Sequence, residues 1–278
     1  MTKRRRFTVG NLLAWFFLIL TTVISLFPMY WLFVNALTPI YASPPLTPIL
    51  WPAFKLDNIQ RLLTQGSPYY LRWMLNSLVI AIAVTAWHIV FDSMAGYAFA
   101  KRRFPGREVL FWLILSTLMI PPQVTLIPLY LITQGMGLLD SPLAVILPGT
   151  AAAFGIFLMR QYIQTLPSEL IEAARMDGCS EPRIFFSIIL PLCKPAVAAL
   201  AIFSFVRVWN DFLWPLIAMI KPQNYTLTVG IANMQGEFMT DFGILFAAAA
   251  LAALPMIAFF LLFQKYFLEG VRMGAVKG

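Results

Sequence analysis

Charge is scarce in this chain. Only 12% of its 278 residues are charged, against roughly 25% in a soluble domain. Histidine occurs once, as His88, and cysteine twice, as Cys179 and Cys193. That inventory offers no Cys/His metal spacing and no paired catalytic motif, so neither a metal centre nor an intramembrane enzyme is expected. A GxxxxGK[ST] phosphate loop is also missing, so the chain is not expected to hydrolyse ATP itself. Hydrophobic residues fill the space that charge leaves, at 60% of the sequence, with a mean hydropathy of +0.79. The expected class is an all-α polytopic membrane protein.

Six apolar segments reach the roughly 20 residues that a bilayer crossing takes. They are residues 11–37, 72–100, 108–133, 142–162, 195–220 and 242–267. The basic run Lys3-Arg4-Arg5-Arg6 precedes an apolar stretch too long for a signal peptide and not followed by a small-residue cleavage site; it reads as an uncleaved first span.

The net charge of +8 does not point to nucleic acid, because the basic residues cluster at the ends of apolar segments. With the N-terminus inside, fifteen of the twenty lie in cytoplasmic segments and four in outer ones, with Arg207 inside a span. The expectation is a cytoplasmic-membrane protein with both termini in the cytosol. Cys179 and Cys193 are then reduced thiols.

The first outer loop carries Pro39, Pro44, Pro45, Pro48, Pro52 and Pro68, a density that favours a stiff, extended path. Within it, residues 56–63 can form two short helical turns, either as a mere linker or with a role at the membrane surface. The other sizeable outer loop is 223–241.

Between the fourth and fifth apolar segments lies a polar island. Leu166-Pro167-Ser168-Glu169 reads as a helix start with Ser168 as N-cap, and Glu169 and Glu172 sit near the positive end of the helix dipole. Gly178 fits the left-handed position that ends the helix. Ser180-Glu181-Pro182 starts a second helix, and Pro191 and Pro195 break the path before the fifth span. The expected product is a hairpin of two short helices. Ala173 and Ala174 permit close approach of another protein, Leu170, Ile171 and Met176 offer apolar contact, and Glu172, Arg175 and Asp177 offer polar contact. A hairpin that merely packs under the bundle has the same composition.

The pattern Glu172-Ala173-Ala174, three residues, Gly178, nine residues, Ile188, one residue, Leu190-Pro191 resembles the EAA motif of ABC-importer permease subunits. Further stretches resemble the carbohydrate-uptake branch, the second permease of maltose-type systems: Asn76-Ser77, Gly96-Tyr97-Ala98-Phe99-Ala100-Lys101, Phe104-Pro105-Gly106-Arg107, Pro128-Leu129-Tyr130, Gly137-Leu138-Leu139-Asp140, the run 209–216, and Gly274-Ala275-Val276-Lys277-Gly278. The resemblance implies a single permease domain over 1–278, with a family core at 72–267 and the EAA loop at 167–191. It implies that this loop is a coupling helix docking in a cytoplasmic ATPase subunit through Glu172, Ala173, Ala174, Asp177, Gly178, Leu190 and Pro191. It gives the C-terminal tail, Gly274, Lys277 and Gly278, an ATPase contact; a disordered terminus is the plain alternative. The implied partners are a second homologous permease, two ATP-binding subunits carrying ATP and Mg, an extracytoplasmic solute-binding protein, a sugar and the lipid bilayer. The implied membrane is bacterial or archaeal.

Polar groups inside a span are expensive and call for a role. Asn76, Asp92, Arg207, Trp209, Asn210 and Asp211 are the substrate-pathway candidates. Amides and charges can fix hydroxyls while aromatic faces meet sugar rings. Arg207 and Asp211 are spaced to pair on one helix. Packing roles compete: Asn210 as a hydrogen-bonding residue between helices, Trp209 and Trp214 as anchors, His88 as a packing residue. Arg207 departs from the apolar or small residue that the resemblance leads one to expect. An ion-coupled secondary transporter is the alternative function, with Asp92 and Asp211 as its carboxylates.

Overall fold

A computed structural model describes residues 9–40, 49–235 and 241–275. Every regular element among them is helical. Three helices are long and apolar enough to cross a membrane: Asn11–Ala36, Tyr70–Lys101 and Phe242–Lys265. Three further candidates are pairs of helices bent at a break, and the total reaches six if each pair counts as one span.

The bends revise three of the expected segments. Residues 108–133 are two helices meeting at 101°, because Pro121 is extended and Pro122 starts a new helix. Residues 142–162 bend by 40° at a break that follows Pro148. Residues 195–220 are not one helix: the chain leaves its helix after Trp209 and resumes at Leu213. The element that forms a bent pair with Lys194–Trp209 is Glu181–Leu192, at 83°.

The chain divides into two compact units. The first comprises 1–68 and 231–253. It contains α1 (Val9–Ala36), α2 (Asp57–Thr64) and the beginning of the last helix. Much of α1 is apolar and exposed, as a lipid-facing helix requires. The predicted turns at 56–63 do form, as α2, and they do more than link. Asn58, 1% exposed, donates to the carbonyls of Asn35 (3.0 Å), Ala36 (3.3 Å) and Thr38 (2.7 Å). A helix end leaves its last carbonyls without helical partners, and this one side chain serves three of the carbonyls around the end of α1. Arg61 reaches the carbonyl of Ile40 at 2.8 Å and pairs with Asp241.

The second unit comprises 69–230 and 254–278. Its first helix, α3 (Tyr70–Trp87), runs through a five-residue π turn, His88–Asp92, into α4 (Ser93–Lys101). Then come α5 (Arg107–Ser116), α6 (Pro122–Gly135), α7 (Pro142–Gly149), α8 (Ala153–Gln164), α9 (Glu169–Met176) and α10 (Glu181–Ile184). A second π turn, Phe185–Ile189, leads to α11 (Leu190–Leu192), α12 (Lys194–Trp209), α13 (Leu213–Ala218) and α14 (Leu227–Asn233); α15 (Phe242–Ala275) closes the chain. The tightest packing is α4 against α8. A Cβ on Gly96 would lie 2.6 Å from Cβ of Met159 and 2.9 Å from the Arg160 nitrogen, so only glycine lets the two backbones approach this closely.

Candidate functional site

The EAA motif lies on α9. Its helix ends as the sequence predicts: Gly178 takes φ +75°, its N–H donates to Arg175 O at 3.0 Å, and the Cys179 N–H donates to Ala174 O at 3.0 Å. This crossed pair of bonds is a Schellman cap. Nothing lies within 4 Å of a Cβ built on Gly178, so the glycine is required for its backbone angle and not for space.

The predicted N-cap is different. Ser168 has helical backbone angles and makes no side-chain cap bond. Its hydroxyl instead accepts from Lys101 Nζ at 3.2 Å, and the same ammonium donates to Leu166 O at 2.5 Å. The last residue of α4 thus holds the entrance to α9.

The motif also divides between two faces. Ile171, 2% exposed, and Ala174, 6% exposed, are packed inward among Met159, Ile163, Ile184 and Phe185, so neither is free to meet a partner as the sequence reading supposed. Burial of such side chains stabilises by about 1.5–3 kcal/mol for each large apolar residue. Glu172, Ala173 and Asp177 remain exposed, as does Met176 at 89%. Further along, Leu190 is half-buried and Pro191 exposed. Gly274 falls in the backbone of α15, whereas Lys277 and Gly278 lie outside the described residues.

Glu181, read from the sequence only as part of the start of the second helix, ties the hairpin together. Its Oε1 accepts from Arg175 Nε at 3.0 Å and from Arg102, and its Oε2 accepts from Tyr97 at 2.9 Å. One carboxylate thereby joins α9, α10 and the end of α4. Partial burial alone would raise its pKa, but the hydrogen bonds from Tyr97 and Arg175 and the two guanidinium charges outweigh that and hold it below the ordinary glutamate value.

A second polar cluster lies within the apolar helices. His88 (1% exposed) and Asp92 (4% exposed) face each other across the π turn, with Nδ1 and Oδ2 2.7 Å apart. His88 Nε2 lies 3.0 Å from Gly149 O, the carbonyl at the break between α7 and α8. Arg207 Nη2 donates to the same carbonyl at 3.1 Å. A Cβ on Gly155 would collide with the Asp92 carboxylate, so α8 makes room for it. The structure therefore brings together Asp92 and Arg207 from the predicted set and adds His88, which the sequence reading treated as packing. The signals for this addition were the i,i+4 spacing of His88 and Asp92 and their shared setting in an apolar run. π turns of this kind often mark functional positions.

The remaining candidates point elsewhere. Arg207 and Asp211 do not pair on one helix, because α12 ends at Trp209. Asn210 Nδ2 returns to Val206 O at 2.9 Å. Trp209 is buried and stacks on Phe205, 5.6 Å away and 12° from parallel. Asn76 Nδ2 donates to Tyr225 O at 3.0 Å, bracing the 222–225 segment beside Trp73, whose indole N–H donates to Pro222 O at 2.6 Å. Trp214 is buried, with its indole N–H on Ala144 O at 2.9 Å.

Comparison with known proteins gives these features a family. Residues 92–273 match the model of the "Binding-protein-dependent transport system inner membrane component" family. The chain is 36% identical to the arabinooligosaccharides transport system permease protein AraQ of Bacillus subtilis (strain 168), over 98% of each sequence. It is also 36% identical to the sn-glycerol-3-phosphate transport system permease protein UgpE of Shigella flexneri serotype 5b (strain 8401), over 91% of this chain and 93% of that one. Among solved structures, a chain of a bacterial ABC transporter involved in the import of the acidic polysaccharide alginate superposes with a TM-score of 0.82, covering 96% of this chain and 99% of its own at 21% identity, a likeness of fold. The chain belongs to the binding-protein-dependent transport system inner membrane component family.

Proposed function

We propose that the chain is a permease subunit of an ATP-driven, binding-protein-dependent importer of sugars or polyol derivatives. It forms half of a translocation pathway, and the 167–191 hairpin couples it to a cytoplasmic ATPase. The observation that carries this reading is the build of the hairpin: a capped helix with an exposed outer face, held to α4 by Lys101 and Glu181. A load applied at Glu172, Ala173 and Met176 would pass into α4 through ionic and backbone contacts. Relatives along nearly the whole chain are permeases for arabinooligosaccharides and for sn-glycerol-3-phosphate, which supports the substrate class.

In this reading the pairs bent at 101° and 40° each count as one crossing, the fifth crossing begins at Lys194 after the hairpin, and the six spans leave both termini cytoplasmic, in agreement with the distribution of basic residues. ATP and Mg reside on two partner ATPase subunits, a second permease completes the pathway, and an outer solute-binding protein delivers the sugar. The buried His88–Asp92 pair favours a second reading, an ion-coupled transporter. One experiment separates the two. The full set of subunits in proteoliposomes should take up sugar only with ATP, and uptake by this chain alone under an ion gradient would sink the importer reading.

A further inference from the structure

The cluster around Arg207 has a charge balance that its own residues do not close. Two acceptors flank the His88 ring: Asp92 Oδ2 on Nδ1 at 2.7 Å and Gly149 O on Nε2 at 3.0 Å. A backbone carbonyl can only accept, so Nε2 carries a proton, and the 2.7 Å contact to Asp92 needs another. Whichever of Nδ1 or Oδ2 holds that second proton, the histidine–aspartate pair is neutral as a whole. The guanidinium of Arg207 is thus left with its charge uncancelled inside the cluster. Asp211 feels Arg207 at longer range, but the ion pairs among the described residues do not join them.

The donors of Arg207 are also underused. Nη2 donates to Gly149 O at 3.1 Å and lies 3.5 Å from His88 Nε2. Nε and Nη1 make no hydrogen bond among the described residues, and the side chain is exposed. It lines a cavity of about 400 Å³ together with His88, Asp92, Thr117, Phe154, Phe203 and Ser204. Phe154 and Phe203 stand edge to face there, 5.6 Å between centroids. Hydroxyls, aromatic faces and a volume in the range of small-ligand sites suit a single sugar ring or a polyol. An unpaired cation within apolar helices is costly unless it meets water or a ligand. A guanidinium presents a planar fork that matches carboxylate and phosphate oxygens.

We propose that Arg207 reads an anionic substrate: the cavity beside it takes the carboxylate or phosphate of a charged glycoside or polyol on this chain's side of the pathway. The proposal rests on the importer reading and narrows its substrate class. Arg207 is the specificity residue, the neutral His88–Asp92 pair holds the Gly149 carbonyl that orients it, and the free Nε and Nη1 donors take the anion.

The test uses the whole transporter, this chain with its partner permease, ATPases and binding protein, in proteoliposomes. The probes are digalacturonate, sn-glycerol 3-phosphate and the neutral arabinobiose. ATP-driven uptake of an anionic probe is expected. Arg207→Gln should lower it about tenfold or more, the loss that removing a charge-assisted hydrogen bond brings, and Arg207→Lys should restore part of it. Subunit assembly and thermal stability should stay at wild-type values, which a merely structural role would not allow. ATP-driven uptake of arabinobiose alone, or anionic uptake that Arg207→Gln leaves intact, overturns the proposal while the importer reading stands. Absence of ATP-driven uptake for both anionic probes also overturns the proposal, whereas the importer reading falls only if this chain alone takes up solute under an ion gradient. If Arg207→Gln fails to assemble, the probe preference of the wild-type complex still decides.

Discussion

Gly178 and Glu181 carry the hairpin through different physics. Gly178 is needed for φ +75° alone. Gly178→Ala should therefore cost about 1 kcal/mol of local stability and slightly lower hydrogen-exchange protection in α9, with the fold kept. Glu181 acts through three partners at once. Glu181→Gln should loosen α9 from α4, seen as faster amide exchange over 169–176 and a loss of uptake larger than any loss of assembly. Its folded-state pKa is depressed. The stabilisation it gives is therefore complete above the usual glutamate value, roughly 4.3, and is lost only as pH falls through the lower folded value. Exchange protection of α9 should be flat from about pH 5 to 8 for this group; a decline across that window would count against the assignment. Gly178 was legible from the spacing of its motif. Glu181 was not, because Tyr97 and Arg102 lie some eighty residues away in sequence and only the approach of α4 brings them in.

At the scale of elements, close approach and end-satisfaction decide what each helix can do. Gly96→Val would push α4 off Met159 and Arg160. The expected cost is about 1–3 kcal/mol, typical of overpacking, measured as a lower melting temperature of the detergent-solubilised chain. Asn58→Ala would remove the side-chain donor shared by three carbonyls around the end of α1, leaving Asn35 O only the Thr38 N–H. It should destabilise by about 1–3 kcal/mol and speed proteolysis near 49–57; an unchanged cleavage rate would contradict the capping role. Apolar length made the membrane class and the rough helix positions readable. It also hid the breaks. Pro121-Pro122, Pro148 and the Asn210–Phe212 interruption sit inside runs whose hydropathy never drops enough to announce an end, so the bends of 101° and 40° appear only once backbone geometry is considered. The turns that carry Asn58 were readable, but its capping role was not, because nothing local shows which helix end it will meet.

At the scale of the whole molecule, two places are joined by one helix. In the proposed coupling the outer face of α9 would receive force, and the hydrogen bonds of Lys101 and the ion pairs of Glu181 would lead it to α4. The π turn at His88–Asp92 interrupts the same continuous run, Tyr70–Lys101, so coupling and the candidate substrate cavity share one helix. Movement of α4 would act on Asp92 and, through His88, on the Gly149 carbonyl that Arg207 also holds. Family membership was legible in the EAA spacing and in motifs spread along the chain; the cavity was not, because its residues come from four separate elements. The central claim is that the hairpin transmits ATPase motion. Its most direct test is ATP-dependent uptake and ATPase co-purification for the assembled complex carrying Glu172→Ala with Gly178→Pro. The account predicts that the variant inserts normally and loses uptake. Wild-type uptake together with unchanged ATPase association would contradict it.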